Sequence, residues 1–166
     1  MLTTAQRTGL KDFILAQSEL AQLVEDKVYS AIADWLNTQD PANYVIWKTK
    51  VYQDEIMQNG FDWVQVDNLT VGKARIWEWM FKNASNSIDP SKTNVRAGID
   101  EAWKGTTAML AVRAQVYTHC KRFATRVEKL FATGTGTNAS PAILGAGVDG
   151  YIQGEIGTAE VQFSME

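Results

Sequence analysis

Thr125-Arg126-Val127-Glu128-Lys129-Leu130-Phe131-Ala132 runs directly into Thr133-Gly134-Thr135-Gly136-Thr137, and the chain changes character at that junction. Before it, Val116, Cys120, Phe123, Val127 and Leu130 recur at intervals of four, three, four and three, the seam of a helix that packs on other helices. The spacing predicts one helix of about 25 residues, from Thr106 or Thr107 to the glycines that stop it. Beyond the stop, residues 133–166 hold seven glycines, four acids (Asp149, Glu155, Glu160, Glu166) and no Lys or Arg. All 16 Lys and Arg lie at or before Lys129, against 15 acids. A slightly basic body, 1–132, thus carries an acidic, glycine-rich arm, 133–166, a charge pattern that suits either assembly of tail on neighbouring body or a solvated, soluble tail.

The body reads as helices. Thr3 and Gln6 have capping-box spacing ahead of Leu10, Phe13 and Ile14, which predicts a helix over about 4–17. Val28, Ile32, Trp35 and Leu36 predict another that ends near Asn37, before the turn formers Thr38 to Asn43. The aromatic and β-branched run Tyr44 to Tyr52 has strand composition but no evident partner, so an extended connection pinned by Trp47 is expected, then a short helix over 53–58. A helix over 69–82 is expected to bury Leu69, Gly72, Ile76, Trp79 and Met80, leaving Trp77 and Phe81 exposed. Asp89-Pro90 signals the next helix start, with Val95, Ile99 and Trp103 following at intervals of four. In the arm, Tyr151 to Ile156 and the alternation Val161, Phe163, Met165 suit one or two short strands or extended segments. The fold class is therefore mainly α: about five to six helices with an extended C-terminal arm.

The composition, 45% hydrophobic and 21% charged, belongs to a folded globular domain. One cysteine and one histidine exclude an intrachain disulfide and any metal site built on two histidines. No apolar run is long enough to span a bilayer, and the N-terminus lacks the basic-then-apolar order of a signal peptide, so a cytosolic protein without membrane contact is expected.

Catalytic readings are weak. His119 and Cys120 are neighbours on a helix, about 100° apart, and do not face each other. Gly134-Thr135-Gly136 and Gly145-Ala146-Gly147 lack the preceding strand and following Lys of a phosphate loop. Asp54-Glu55 and Asp100-Glu101 do not place two carboxylates on one helix face. No enzyme, cofactor or metal is expected. A pI of about 5.2 opposes sequence-specific DNA binding, although the basic residues of the last long helix leave non-specific contact with DNA open.

Asp89-Pro90-Ser91-Lys92 followed by Asn94-Val95-Arg96-Ala97-Gly98, and Ala124-Thr125-Arg126 continuing through Glu128-Lys129-Leu130-Phe131-Ala132-Thr133-Gly134-Thr135-Gly136 to Ala139-Ser140-Pro141-Ala142, resemble a mostly uncharacterised family of small tailed-bacteriophage and prophage virion-associated proteins. The opening Met1 to Arg7 and the block Trp47-Lys48-Thr49 resemble it too, so the likeness spans nearly the whole chain. Where the family has a Phe-Glu-Gly-like segment in the tail, this chain has Gly147 to Ile152.

The resemblance implies a virion structural protein, assembled in the host cytoplasm. Its expected place is the neck, as a head-to-tail connector or adaptor in a ring of about a dozen copies below the portal. Its partners would be other copies of itself, the portal protein and downstream tail proteins, with possible non-specific contact with packaged DNA. Another morphogenesis role, in tail completion or capsid decoration, fits the same resemblance. A small cytosolic DNA-binding or host-takeover regulator is the alternative from another class. The expected interface residues are Arg122, Arg126 and Lys129 on the basic helix, Trp77 and Phe81, and Ile143, Leu144, Tyr151, Ile152, Val161 and Phe163 on the arm.

Overall fold

A computed structural model describes residues 2–58, 60–145 and 154–166. The chain is mainly α, with ten α-helices and four short strands among the described residues. It divides into two compact units, unit 1 from Met1–Ile46 with Phe123–Glu166 and unit 2 from Trp47–Arg122. This division differs from the expected one at residue 132: both chain ends belong to one unit, and the middle of the sequence forms the other.

Unit 1 begins with the expected capping box, in which Gln6 N–H donates to Thr3 Oγ1 at 3.3 Å and Thr3 N–H to Gln6 Oε1 at 2.9 Å. It starts α1, Thr4–Leu15, followed by a 3-10 turn at Ser18–Leu20, α2 at Ala21–Glu25 and α3 at Tyr29–Asn37. Leu10, Ile14, Leu20, Ile32 and Leu36 form a core that is closed by Val127, Ile156 and Val161 from the far end of the sequence.

The C-terminal stretch joins that core as a helix. The alternation Val161, Phe163, Met165 lies on α10, Thr158–Met165, which packs against α1 and α3. A 3.6-residue period wins over the two-residue one because Glu160, Val161 and Ser164 can then be buried on one face. Glu160 turns inward because its Oε1 accepts from Leu2 N–H at 3.0 Å and from Arg7 Nε at 3.2 Å, which satisfies a carboxylate that would otherwise be expensive to bury. Asn37 exchanges two hydrogen bonds with the Ile156 backbone, both 2.9 Å. The earlier part of the arm is extended, as expected: Thr133 and Ile143 exchange backbone bonds at 2.8 and 2.9 Å, and Ala142 N–H donates to Val45 O at 2.9 Å.

The single helix expected up to residue 132 is broken. α8, Thr107–His119, gives way to strand β4 at Lys121–Phe123, and α9 restarts at Arg126–Phe131. Thr125 and Glu128 restart it with a second capping box, Glu128 N–H to Thr125 Oγ1 at 3.3 Å and Thr125 N–H to Glu128 Oε2 at 2.9 Å. β4 pairs with β1, Val45–Trp47, so the run that lacked an evident strand partner finds one in the middle of the expected helix.

In unit 2, β2 at Val51–Tyr52 pairs antiparallel with β3 at Ser87–Ile88, Val51 opposite Ile88 and Tyr52 opposite Ser87. Around this ribbon stand α4 at Gln53–Met57, α5 at Val64–Asp67, α6 at Val71–Met80, α7 at Thr93–Ala102 and α8. Asp89-Pro90 does not open α7 directly. Asp89 Oδ1 accepts from Ser91 N–H at 3.0 Å, and the Pro90 and Ser91 carbonyls accept from Arg96 Nη1 at 2.7 and 2.8 Å, a turn locked in place before the helix begins. The expected face of α6 is shifted: Leu69, Ile76 and Met80 pack partly buried against the core as expected, but Gly72 and Trp79 are exposed, and Trp77 and Phe81 take the buried places. Trp77 and Phe81 are buried, 5.0 Å apart edge to face, and Trp77 lies 5.3 Å from Trp103. Interlocked rings bury more apolar area per residue than Leu69, Gly72 and Ile76 could.

Candidate functional site

The expected interface residues scatter. Trp77 and Phe81 are core residues of unit 2, 4% and 2% exposed, and offer no surface to a partner. Arg126 is held by its own chain: its guanidinium stacks over Trp35 at 4.2 Å, and Nη1 donates to Thr38 Oγ1 and to Trp35 O. Lys129 Nζ lies 3.0 Å from both Asp40 carboxylate oxygens, closing a loop of unit 1. Arg122 is half-buried on β4. Val161 and Leu144 are buried within unit 1, in two different clusters. Ile143 is exposed, and Phe163 is exposed with the Arg7 guanidinium 5.6 Å above its ring. Tyr151 and Ile152 lie outside the described residues.

The groups weighed for chemistry sit as follows. Cys120 is buried, and that burial pushes its thiol up to about 12, only partly offset by the nearby Lys48 ammonium. A thiol so protonated is a poor nucleophile at neutral pH. Gln115 Nε2 lies 2.9 Å from His119 Nε2. Beside the thiol, burial also lowers Lys121, whose ammonium stands 5.4 Å over Trp47. The glycines after α9 pack against Tyr44. Gly136 has φ +66°, and a Cβ there would come within 2.1 Å of the Tyr44 ring, while the Tyr44 hydroxyl donates to Gly134 O at 2.7 Å. A cleft of about 290 Å³ in unit 2 is lined by Gly60, Asp62, Ala108, Ala111, Val112 and Gln115, with Asp62 the one titratable group among these described residues. Among the described residues no three His, Cys, Asp or Glu side chains cluster closely enough to hold a metal ion. Nor is any helix among them long and apolar enough to cross a membrane.

The surface feature that sequence reasoning missed is on α6. With Trp77 and Phe81 turned inward, Val71, Arg75 and Trp79, each four residues apart, share the outward face. Val71 is 69% and Trp79 65% exposed. Lys82 follows just beyond the helix, its ammonium 4.0 Å from the Glu78 carboxylate, both side chains mostly in solvent. Trp63 and Val64, before and at the start of α5, are also largely exposed. The available signal was the spacing of Phe81 from Trp77, two aromatics four apart, which competes with the Leu69–Ile76–Met80 stripe for the core.

Charge also divides differently from the sequence boundary. Unit 1 carries five Lys and Arg against eleven Asp and Glu, net −6, and unit 2 carries eleven against eight, net +3. No protein-family model matches the chain, and no curated protein or solved structure matches it either.

Proposed function

We propose that the chain is a structural protein of a tailed-bacteriophage virion, a head-to-tail connector that forms a ring in the neck beneath the portal. It works by binding and scaffolding rather than by catalysis. The motif resemblance in residues 89–98 and 124–142 supplies the phage setting. The self-assembling role is supported by one observation, the opposite charge of the two units, −6 and +3. A ring of identical copies needs a heterologous interface, one patch against a different patch on the next copy, and opposed charges on one chain favour such pairing over a symmetric contact between like surfaces. The portal protein and the first tail proteins would flank the ring, with assembly in the host cytoplasm.

The test is quantitative mass spectrometry of purified particles. About a dozen copies per particle is the expected result for a connector ring. Copies in the hundreds would move the chain to capsid decoration or a tail tube. Absence from particles, with salt-sensitive DNA binding by the free protein, would replace the virion reading with a cytosolic regulator.

A further inference from the structure

Two stretches of the described chain leave side chains exposed that neither core uses. One is the α6 face, where Val71 and Trp79 stand in solvent around Arg75, with Lys82 beside them. The other belongs to unit 1. Within residues 12–34, Asp12, Glu19, Glu25, Asp26 and Asp34 are exposed, Lys27 is the one exposed base, and Leu15 and Val28 are exposed apolar residues. The first stretch is apolar around the Arg75 cation, with Lys82 paired to the exposed Glu78 carboxylate at 4.0 Å, and the second is rich in exposed acids with apolar points. Trp and Arg are among the residue types enriched where binding energy concentrates at an interface. Complementary charge around it sets orientation and partner choice.

We infer that the α6 face of one copy docks on the 12–34 surface of a second copy, an inference that rests on the ring reading and names its interface. A second copy is favoured over nucleic acid because the chain is acidic, with a pI of about 5.2, and because acids that complement the Arg75 face are carried on the chain itself. The contact is heterologous, so it propagates from copy to copy and closes where geometry allows. Trp79 and Val71 supply the apolar centre, and the acids of 12–34 meet Arg75.

The experiment uses the full chain in sedimentation velocity. A face-dead variant, R75E/W79A, and an acid-dead variant, E19K/E25K/D26K, alter only exposed side chains, and circular dichroism checks that both keep the wild-type helix content. The wild type should self-associate, and raising salt from about 50 to about 500 mM should weaken it by more than about tenfold. Each variant alone should be monomeric. An equimolar mixture should give a 1:1 heterodimer and nothing larger, because the pair retains one intact α6 face and one intact acidic surface. Val71→Lys should repeat the face-dead result.

Assembly of both variants like the wild type overturns the inference and leaves the ring reading standing on another surface. A wild type that stays monomeric at low salt also overturns it. Binding of a labelled single-stranded oligonucleotide that is lost in R75E/W79A would reassign the face to nucleic acid. Restored pairing in the mixture, with no ring in purified particles, would remove the neck reading and keep the interface.

Discussion

Val161 and Phe163 stand two residues apart, and an extended arm would place them on the same face. On α10 they separate: Val161 is fully buried against α1 and α3, while Phe163 is 56% exposed. Val161→Ala removes two carbons from the core, a transfer loss of about 1.6 kcal/mol at about 0.8 kcal/mol each. A residual void on the order of 40 Å³, at about 24 cal/mol per Å³, adds roughly 1 kcal/mol. The expected total is about 2–3 kcal/mol, a fall in Tm of about 4–12 °C for a chain of this size. Phe163→Ala loses an exposed ring and its contact with Arg7, about 0.5–1 kcal/mol. Urea unfolding followed by far-UV circular dichroism measures both. Equal costs, or a silent Val161→Ala beside a costly Phe163→Ala, would refute the docking of this segment as a helix. A free arm would make both variants silent.

Trp77→Ala should cost about 3–5 kcal/mol and Trp79→Ala less than about 0.5 kcal/mol in the same unfolding assay; the reverse order would restore the face of α6 expected from its sequence. Gly136→Ala places a methyl into the Tyr44 ring at a left-handed φ, and a loss of about 2–4 kcal/mol is expected by thermal melting. Thr125→Ala removes the cap that restarts α9 and should lower stability by about 1 kcal/mol, checked by the urea midpoint. Because Cys120 is raised from 9.0 to about 12 in the folded chain, the unfolded state releases its proton first as pH rises. Stability from this group is therefore level below pH 9 and declines from there toward pH 12. Cys120→Ala should flatten that part of a pH-dependent unfolding series, and the native thiol should resist alkylation at pH 8 until the chain unfolds.

Local signals were readable wherever they were self-sufficient. The Thr3–Gln6 box, the helix that ends at Asn37 and the short helix from Gln53 each depend on residues within a turn or two, and each forms as its spacing predicts. What misled was periodicity that continued across a break. Val116 and Cys120 belong to unit 2 and Val127 and Leu130 to unit 1, so one heptad-like seam is shared between two separate cores. The Thr125-x-x-Glu128 signature lay inside that seam and marked the restart. A hydrophobic repeat does not show which core each residue joins, so the seam alone hides that restart.

The same reasoning bears on the candidate interface. Arg126 and Lys129 are expected interface residues on one long helix, yet the break turns them toward Trp35, Thr38 and Asp40. Their charge is consumed in joining α9 to the N-terminal helices. Arg75 stays in solvent between Val71 and Trp79, with Lys82 beyond them paired to Glu78. A charge count by sequence segment could not single out Arg75, because the boundary that matters follows packing: the acidic C-terminal stretch folds with the acidic N-terminal helices and concentrates negative charge on unit 1. Repulsion within that unit is tolerated because Glu160 and Asp40 are paired with Arg7 and Lys129, while Asp12, Glu19, Glu25, Asp26 and Asp34 remain exposed. On the proposed ring reading, the exposed acids of 12–34 and the Arg75–Trp79 face would each be better matched against a neighbouring copy than against solvent.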